Sequence, residues 1–253
     1  MSLGEHELFL DSLRNIEVWL SFSQRTLDAL GELRQKSALS PVQRYEIDSF
    51  YWCLTCVGLY NRLVRIRDMT GRSIHLRKGE EKGSFTKDWL IYNYQFYIVI
   101  YQSALDVALL LVNAILDLGI NDRKCTFDTI CENRKVKESN LHLILKTLNK
   151  MTNEHREGKN LLLHRGKGVR TPNQFVNSNV FDIADLAKGV GIEETQVITY
   201  IEHFLAIRNQ NDLVLKMDDE IGLLEQCILR LFNTLLPIYK SNHSLYSDRR
   251  NII

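Results

Sequence analysis

Apolar residues recur every three or four positions along most of the chain, and the two-residue alternation of a half-buried strand is nowhere sustained. This pattern predicts an all-α fold, a bundle of long antiparallel helices forming a single domain over residues 1–253. A first helix is expected from about Glu5 to Lys36, with Leu13, Ile16, Leu20, Leu27 and Leu30 on its buried stripe. Ser40 followed by Pro41 offers a capping hydroxyl and then a residue whose missing N–H costs nothing in a first turn. A second helix should therefore start there, run to about Met69 and be closed by Gly71.

Residues 71–83 mix glycine with both signs of charge and read as an exposed connection. From Trp89 to Leu118 runs the most apolar segment, long enough to cross a membrane. Gln102, Ser103, Asp106 and Asn113 interrupt it, and a helix apolar nearly all round also suits the centre of a bundle, which is the reading adopted, with no membrane partner. A short helix is expected at Phe127–Asn133, and Leu141, Leu145, Leu148 and Met151 mark one face of the next. Residues 166–181 form the least regular stretch. Thr195 to Tyr239 should hold either two helices or one kinked helix, because polar residues from Asn209 to Asp212 break its apolar stripe. Glu193, Glu194, Asp218, Asp219 and Glu220 are then expected near helix starts, where the dipole favours negative charge, and the polar tail after Ser241 is expected to be loosely ordered.

A chain of 253 residues can build a stable core without disulfides or metals. Its 32 basic and 31 acidic residues leave a net charge of +1, so any nucleic-acid site must be local. An odd cysteine count of 5 and the lack of a secretory pattern at the start predict a cytoplasmic protein. Cys53 and Cys56 form a CxxC, but within the apolar run FYWCLTCVGLY they read as core thiols. Asn242-His243-Ser244 matches a glycosylation acceptor, a chance match in a cytoplasmic chain. No phosphate-binding glycine loop, nucleophile elbow or zinc signature appears, and no cofactor or metal is expected.

The stretch GKNLLLHRGKG, residues 158–168, holds the candidate chemistry. On a helix, Asn160 and His164 share a face, and Arg156 lies one turn earlier on the same line. Leu161, Leu162 and Leu163 can hold such a helix to a core, leaving the polar pair beside Lys159, Arg165 and Lys167. Histidine exchanges protons near neutrality, and cations stabilise charge on a phosphate. Together these are the parts for cleaving RNA without a metal: a base for the 2′-hydroxyl and positive charge for the transition state.

Lys159-Asn160-Leu161-Leu162-Leu163-His164 resembles the Arg-Asn-x-x-x-His motif of HEPN domains, with lysine at the arginine position. A lysine brings a point charge where arginine brings a planar fork. The resemblance implies an all-helical bundle with its family-like core over residues 84–240 and residues 1–83 as an N-terminal elaboration. It also implies an endoribonuclease of a toxin or phage-defence setting, with RNA as substrate, a homodimer pairing two motifs, and in a toxin setting an antitoxin partner. His164 would be the acid/base, Asn160 the orienting group, Lys159 the phosphate contact, and Arg156, Arg165 and Lys167 would bind substrate. Some HEPN relatives are non-catalytic, so a dimerising interaction protein is the alternative. A plainer account also stands: His164 and Arg165 in a last turn followed by Gly166 make an ordinary helix end.

Outside that stretch, His142, His155 and His203 are expected at surface or internally satisfied positions. Tyr92, Tyr94, Phe96, Tyr97 and Tyr101 are expected to serve core or subunit contacts rather than base stacking.

Overall fold

The computed structural model describes residues 2–17, 39–72, 82–156 and 194–248. Among them every regular element is helical: a 3-10 turn at Leu3–Glu5, then α1 (Glu7–Glu17), α2 (Pro41–Gly71), α3 (Lys82–Ile115), a second 3-10 turn at Asp122–Lys124, α4 (Phe127–Glu132), α5 (Arg134–Glu138), α6 (Leu141–Asn153) and α7 (Glu194–Asp248). The continuation of the first helix through Leu20, Leu27 and Leu30, the connection at 73–81 and the loop at 166–181 lie outside the described residues.

The helix ends follow from local chemistry. Ser40 Oγ accepts from Gln43 N at 3.3 Å while Gln43 Oε1 accepts from Ser40 N at 3.0 Å, so α2 begins in a reciprocal cap with Pro41 in its first turn. At the other boundary α3 stops at Ile115, short of the expected Leu118. Asn113 turns its amide onto Ile120, donating to the carbonyl at 2.7 Å and accepting from N–H at 3.2 Å, and the chain passes through positive φ at Asp117 (45°) and Gly119 (67°). The helix also starts earlier than expected, at Lys82 rather than Trp89.

The chain divides into two compact units. The first comprises Met1–Arg62, Tyr101–Glu154 and Gly222–Ile253. Its core includes Leu8, Cys53, Val112, Leu145, Leu224 and Phe232, each essentially inaccessible, and each leucine, valine or phenylalanine among them contributes about 1.5–3 kcal/mol by leaving water. The predicted stripe of α6 is realised as Leu141, Leu145, Leu148 and Thr152, with Met151 turned partly outward. The short helix α5 was not anticipated; Asn133 both follows α4 and caps α5, its side chain accepting from Lys135 N at 3.0 Å. The carbonyls that end α3 are collected by side chains: Tyr45 OH (3.1 Å) and Asn242 Nδ2 (2.9 Å) donate to Ile115, and Lys135 Nζ donates to Leu116 at 3.0 Å.

Those contacts correct one expectation. The polar tail continues as helix to Asp248, because Asn242 bonds Ile115, His243 pairs with Glu46 at 2.9 Å and Tyr246 bonds Asp117. Polar residues there are satisfied by the fold instead of by water.

The second unit comprises Leu63–Ile100 and His155–Ile221, with Leu63, Ile66, Tyr97, Ile98 and Met217 at its centre. Gln210 explains the break in the last apolar stripe: its Nε2 donates to Thr70 O at 2.6 Å and Arg72 O at 3.2 Å, capping the end of α2. The interruption at Asn209–Asp212 therefore does not divide the segment, and α7 is one helix, passing through Pro237 where the Asn233 carbonyl loses its backbone partner. Asp218, Asp219 and Glu220 consequently stand in mid-helix, not near a start; side-chain partners rather than the dipole account for Asp218, which pairs with Arg67, and for Glu220.

Tyr92–Ile115 and Gln210–Ser247 are each long and apolar enough to cross a membrane by length and composition. Within the first, Gln102 donates to Thr152 O at 2.6 Å and Asn113 bonds Ile120, so these two interrupting polar groups have internal partners.

Candidate functional site

In the second unit the polar chemistry gathers on Glu220. Tyr97, one turn of α3 beyond Tyr94, donates its hydroxyl to Glu220 Oε2 at 2.8 Å, and His155 Nε2 lies 3.1 Å from the same oxygen. Lys216, one turn before Glu220 on α7, brings Nζ to 3.6 Å from Oε1. The His155 ring stands nearly perpendicular to Tyr94 (79°) and Tyr97 (88°) with centroids 6.4 and 6.2 Å away. Helical spacing makes this possible: Tyr94 and Tyr97 share one face of α3, and Lys216 and Glu220 share one face of α7.

Burial alone would raise the Glu220 carboxyl, but hydrogen bonding and charge from His155, with smaller contributions from Tyr97 and Lys216, hold it below the ordinary glutamate range. The Tyr94 phenol is pushed up to about 12 by burial and then by the Glu220 charge. An ionised glutamate, held by two hydrogen bonds and a lysine, is an anchor more than a reagent. His155 is thus an internally satisfied histidine, as expected from sequence, and buried.

The predicted reactive residues follow directly in the chain. Arg156 is exposed. Lys159, Asn160, His164, Arg165 and Lys167 lie outside the described residues, as does the side chain of His203. Of the aromatic group, Tyr94, Tyr97 and Tyr101 are core residues, whereas Tyr92 and Phe96 are 70% and 56% exposed. Cys53 and Cys56 are buried, as read from sequence, and burial pushes both thiols up.

The first unit holds polar pairs that no motif announced. His6 Nδ1 accepts from Leu8 N at 3.1 Å while Nε2 lies 3.0 Å from Asn233 Oδ1. His243 pairs with Glu46, and nearby Asp11, Arg14, Asn15, Tyr239, Lys240 and Ser247 line a cleft of about 480 Å³. Lys240 is already held by Glu7 at 2.6 Å and Asp11 at 3.5 Å, and Asn15 donates to Tyr239 at 2.7 Å, so the cleft's charges largely answer one another. Partners more than 190 residues apart, as with His243 and Glu46, leave no local signal to read.

No curated protein and no solved structure matches the chain. A family model does, described as HEPN_Cthe2314-like HEPN, over residues 27–218 of 253. The matched region takes in the whole of Lys159–His164 and most of the second unit, including Tyr97 and His155. Together with the helical architecture, this match establishes that the chain belongs to the HEPN_Cthe2314-like HEPN family.

Proposed function

We propose that the protein is a metal-independent endoribonuclease of a toxin or phage-defence setting. The observation that carries this reading is the segment Lys159-Asn160-Leu161-Leu162-Leu163-His164, with the asparagine and histidine of the family motif and a lysine at its arginine position, inside the region matched to the family. His164 takes the proton of an RNA 2′-hydroxyl, and that oxygen attacks the adjacent phosphorus. Lys159, with Arg156, Arg165 and Lys167, stabilises the charge that accumulates on the phosphorane, and Asn160 orients phosphate or imidazole. The 5′-oxygen leaves with a proton from the imidazolium, giving a 2′,3′-cyclic phosphate and a 5′-hydroxyl. The working species is a cytoplasmic homodimer, with an antitoxin as partner in a toxin setting.

The test is cleavage of RNA by the purified chain and by His164→Ala. Activity confined to the wild type, with cyclic-phosphate ends, supports the reading; activity that persists in the variant, or none in either, overturns it.

A second reading, a non-catalytic helical protein that works by dimerisation, is favoured by Tyr92 and Phe96. These exposed aromatics lie one turn apart on α3 and offer apolar surface for a partner helix. Light scattering on Tyr92→Ser and Phe96→Ser, alongside the RNA assay, separates the two: dissociation without any RNA activity in the wild type favours the scaffold.

A further inference from the structure

Three segments distant in sequence converge on Glu220 in the second unit: Tyr97 from α3, His155 after α6, and Glu220 with Lys216 from α7. Tyr97 is wholly inaccessible and His155 is 6% exposed, so both donors are set by packing before they bond. One carboxylate oxygen receiving a 2.8 Å hydroxyl bond and lying 3.1 Å from a ring nitrogen has little freedom to turn. The His155 ring is confined further by Tyr94 and Tyr97 at nearly right angles. His155 immediately precedes Arg156 and stands four residues before Lys159 in the sequence. Among the described residues, the last buried side chain before the motif is therefore a hydrogen-bonded histidine.

We infer that Tyr97, Glu220 and His155 form a positioning cluster that sets where, and in which direction, the chain departs toward Lys159, Asn160 and His164. The cluster acts on the chemistry through those residues and does not itself touch RNA. The inference rests on the reading of His164 as the acid/base. A misplacement of about 1 Å at reacting groups costs on the order of a hundredfold in rate, so a weakened anchor should lower the rate of the chemical step more than substrate binding. The essential property is the donor on residue 155 rather than its ring volume, because Glu220 is ionised and needs that donor.

The experiment compares the full chain with His155→Phe, which keeps a ring and removes the donor, His155→Gln, which keeps a donor, and Tyr97→Phe, which removes one hydroxyl. RNA cleavage is measured for kcat and KM, with thermal unfolding to confirm the fold. In parallel, the His164 Cε1–H NMR signal, identified by its loss in His164→Ala, is recorded for each variant. Expected are a fall in kcat of about tenfold or more in His155→Phe with KM within about twofold, a smaller fall in Tyr97→Phe, and near wild-type kcat in His155→Gln. The His164 signal should move in His155→Phe and stay in place in His155→Gln. Wild-type kcat in His155→Phe, or equal losses in the Phe and Gln variants, overturns the inference. If the wild type leaves RNA uncut, the nuclease reading fails by itself and the NMR comparison decides the cluster: a His164 signal moved only by the Phe variant upholds it, and one unmoved or moved equally overturns it. Should His155→Phe not fold, Tyr97→Phe, which retains the ring, decides on the same measurements.

Discussion

His155 and Glu220, separated by 65 residues, meet at 3.1 Å with side chains 6% and 14% exposed. A carboxylate so placed must remain ionised to hold its partners, and His155, Tyr97 and Lys216 together keep its pKa below the ordinary value despite burial. A carboxyl with a depressed folded-state pKa stabilises the fold fully above its unfolded value, about 4.3, and loses that contribution as pH falls through the lower folded value. The melting temperature should therefore fall with acid below about pH 4.3, and Glu220→Gln should shed part of that dependence. Melting curves from pH 7 to pH 3 check this; equal acid slopes for the two proteins would count against it.

Leu145 is fully buried on α6, whereas Leu143 on the same helix is 54% exposed. Leu145→Ala should cost about 2–5 kcal/mol through lost burial and the cavity left behind. Leu143→Ala should stay within about 0.5 kcal/mol. Chemical denaturation of the pair measures the contrast, and a ranking in the other order would place the core of the first unit elsewhere.

Ser40 and Gln43 exchange side-chain and backbone bonds at the start of α2. Ser40→Ala removes the acceptor for Gln43 N and should cost about 0.5–2 kcal/mol, while Ser40→Asp should retain most of the stability. Unfolding free energies of the two variants provide the measurement.

Burial raises the thiols of Cys53 and Cys56, while Cys125 is only partly covered. A thiol reagent at pH 8 should label Cys125 first and reach Cys53 and Cys56 only after denaturant is added, because the thiolate is the reactive form. Mass spectrometry of timed samples reads the order. Early labelling of the CxxC pair would mean that it is open to solvent.

Lys159 supplies a point charge where the family motif carries a guanidinium. Lys159→Ala should lower kcat/KM for RNA by about tenfold or more, the equivalent of a lost charge-assisted hydrogen bond. Lys159→Arg should retain activity or increase it, since a planar fork grips phosphate in two places. Steady-state kinetics on one RNA substrate compare the three proteins, and a Lys159→Ala chain as active as wild type would remove this residue from the site.

The periodicity of apolar residues was enough to determine that this is an all-α chain, and Ser40-Pro41 was enough to place the start of α2, because spacing and capping act within one turn of helix. The burial of Cys53 and Cys56 was legible for the same reason: their neighbours in sequence are apolar. The family, too, was legible from six residues, and the match over 27–218 bears it out, although Lys159, Asn160 and His164 themselves lie outside the described residues. Partner choice was not legible. Glu220 resembles its neighbours Asp218 and Asp219 in a run of acids, and Gln210 looks like a break in a stripe, until tertiary packing brings Tyr97 and His155 to the one and the carbonyls of Thr70 and Arg72 to the other. Local sequence reports which face of a helix avoids water; which polar group meets which across long stretches of chain is decided only when those faces pack.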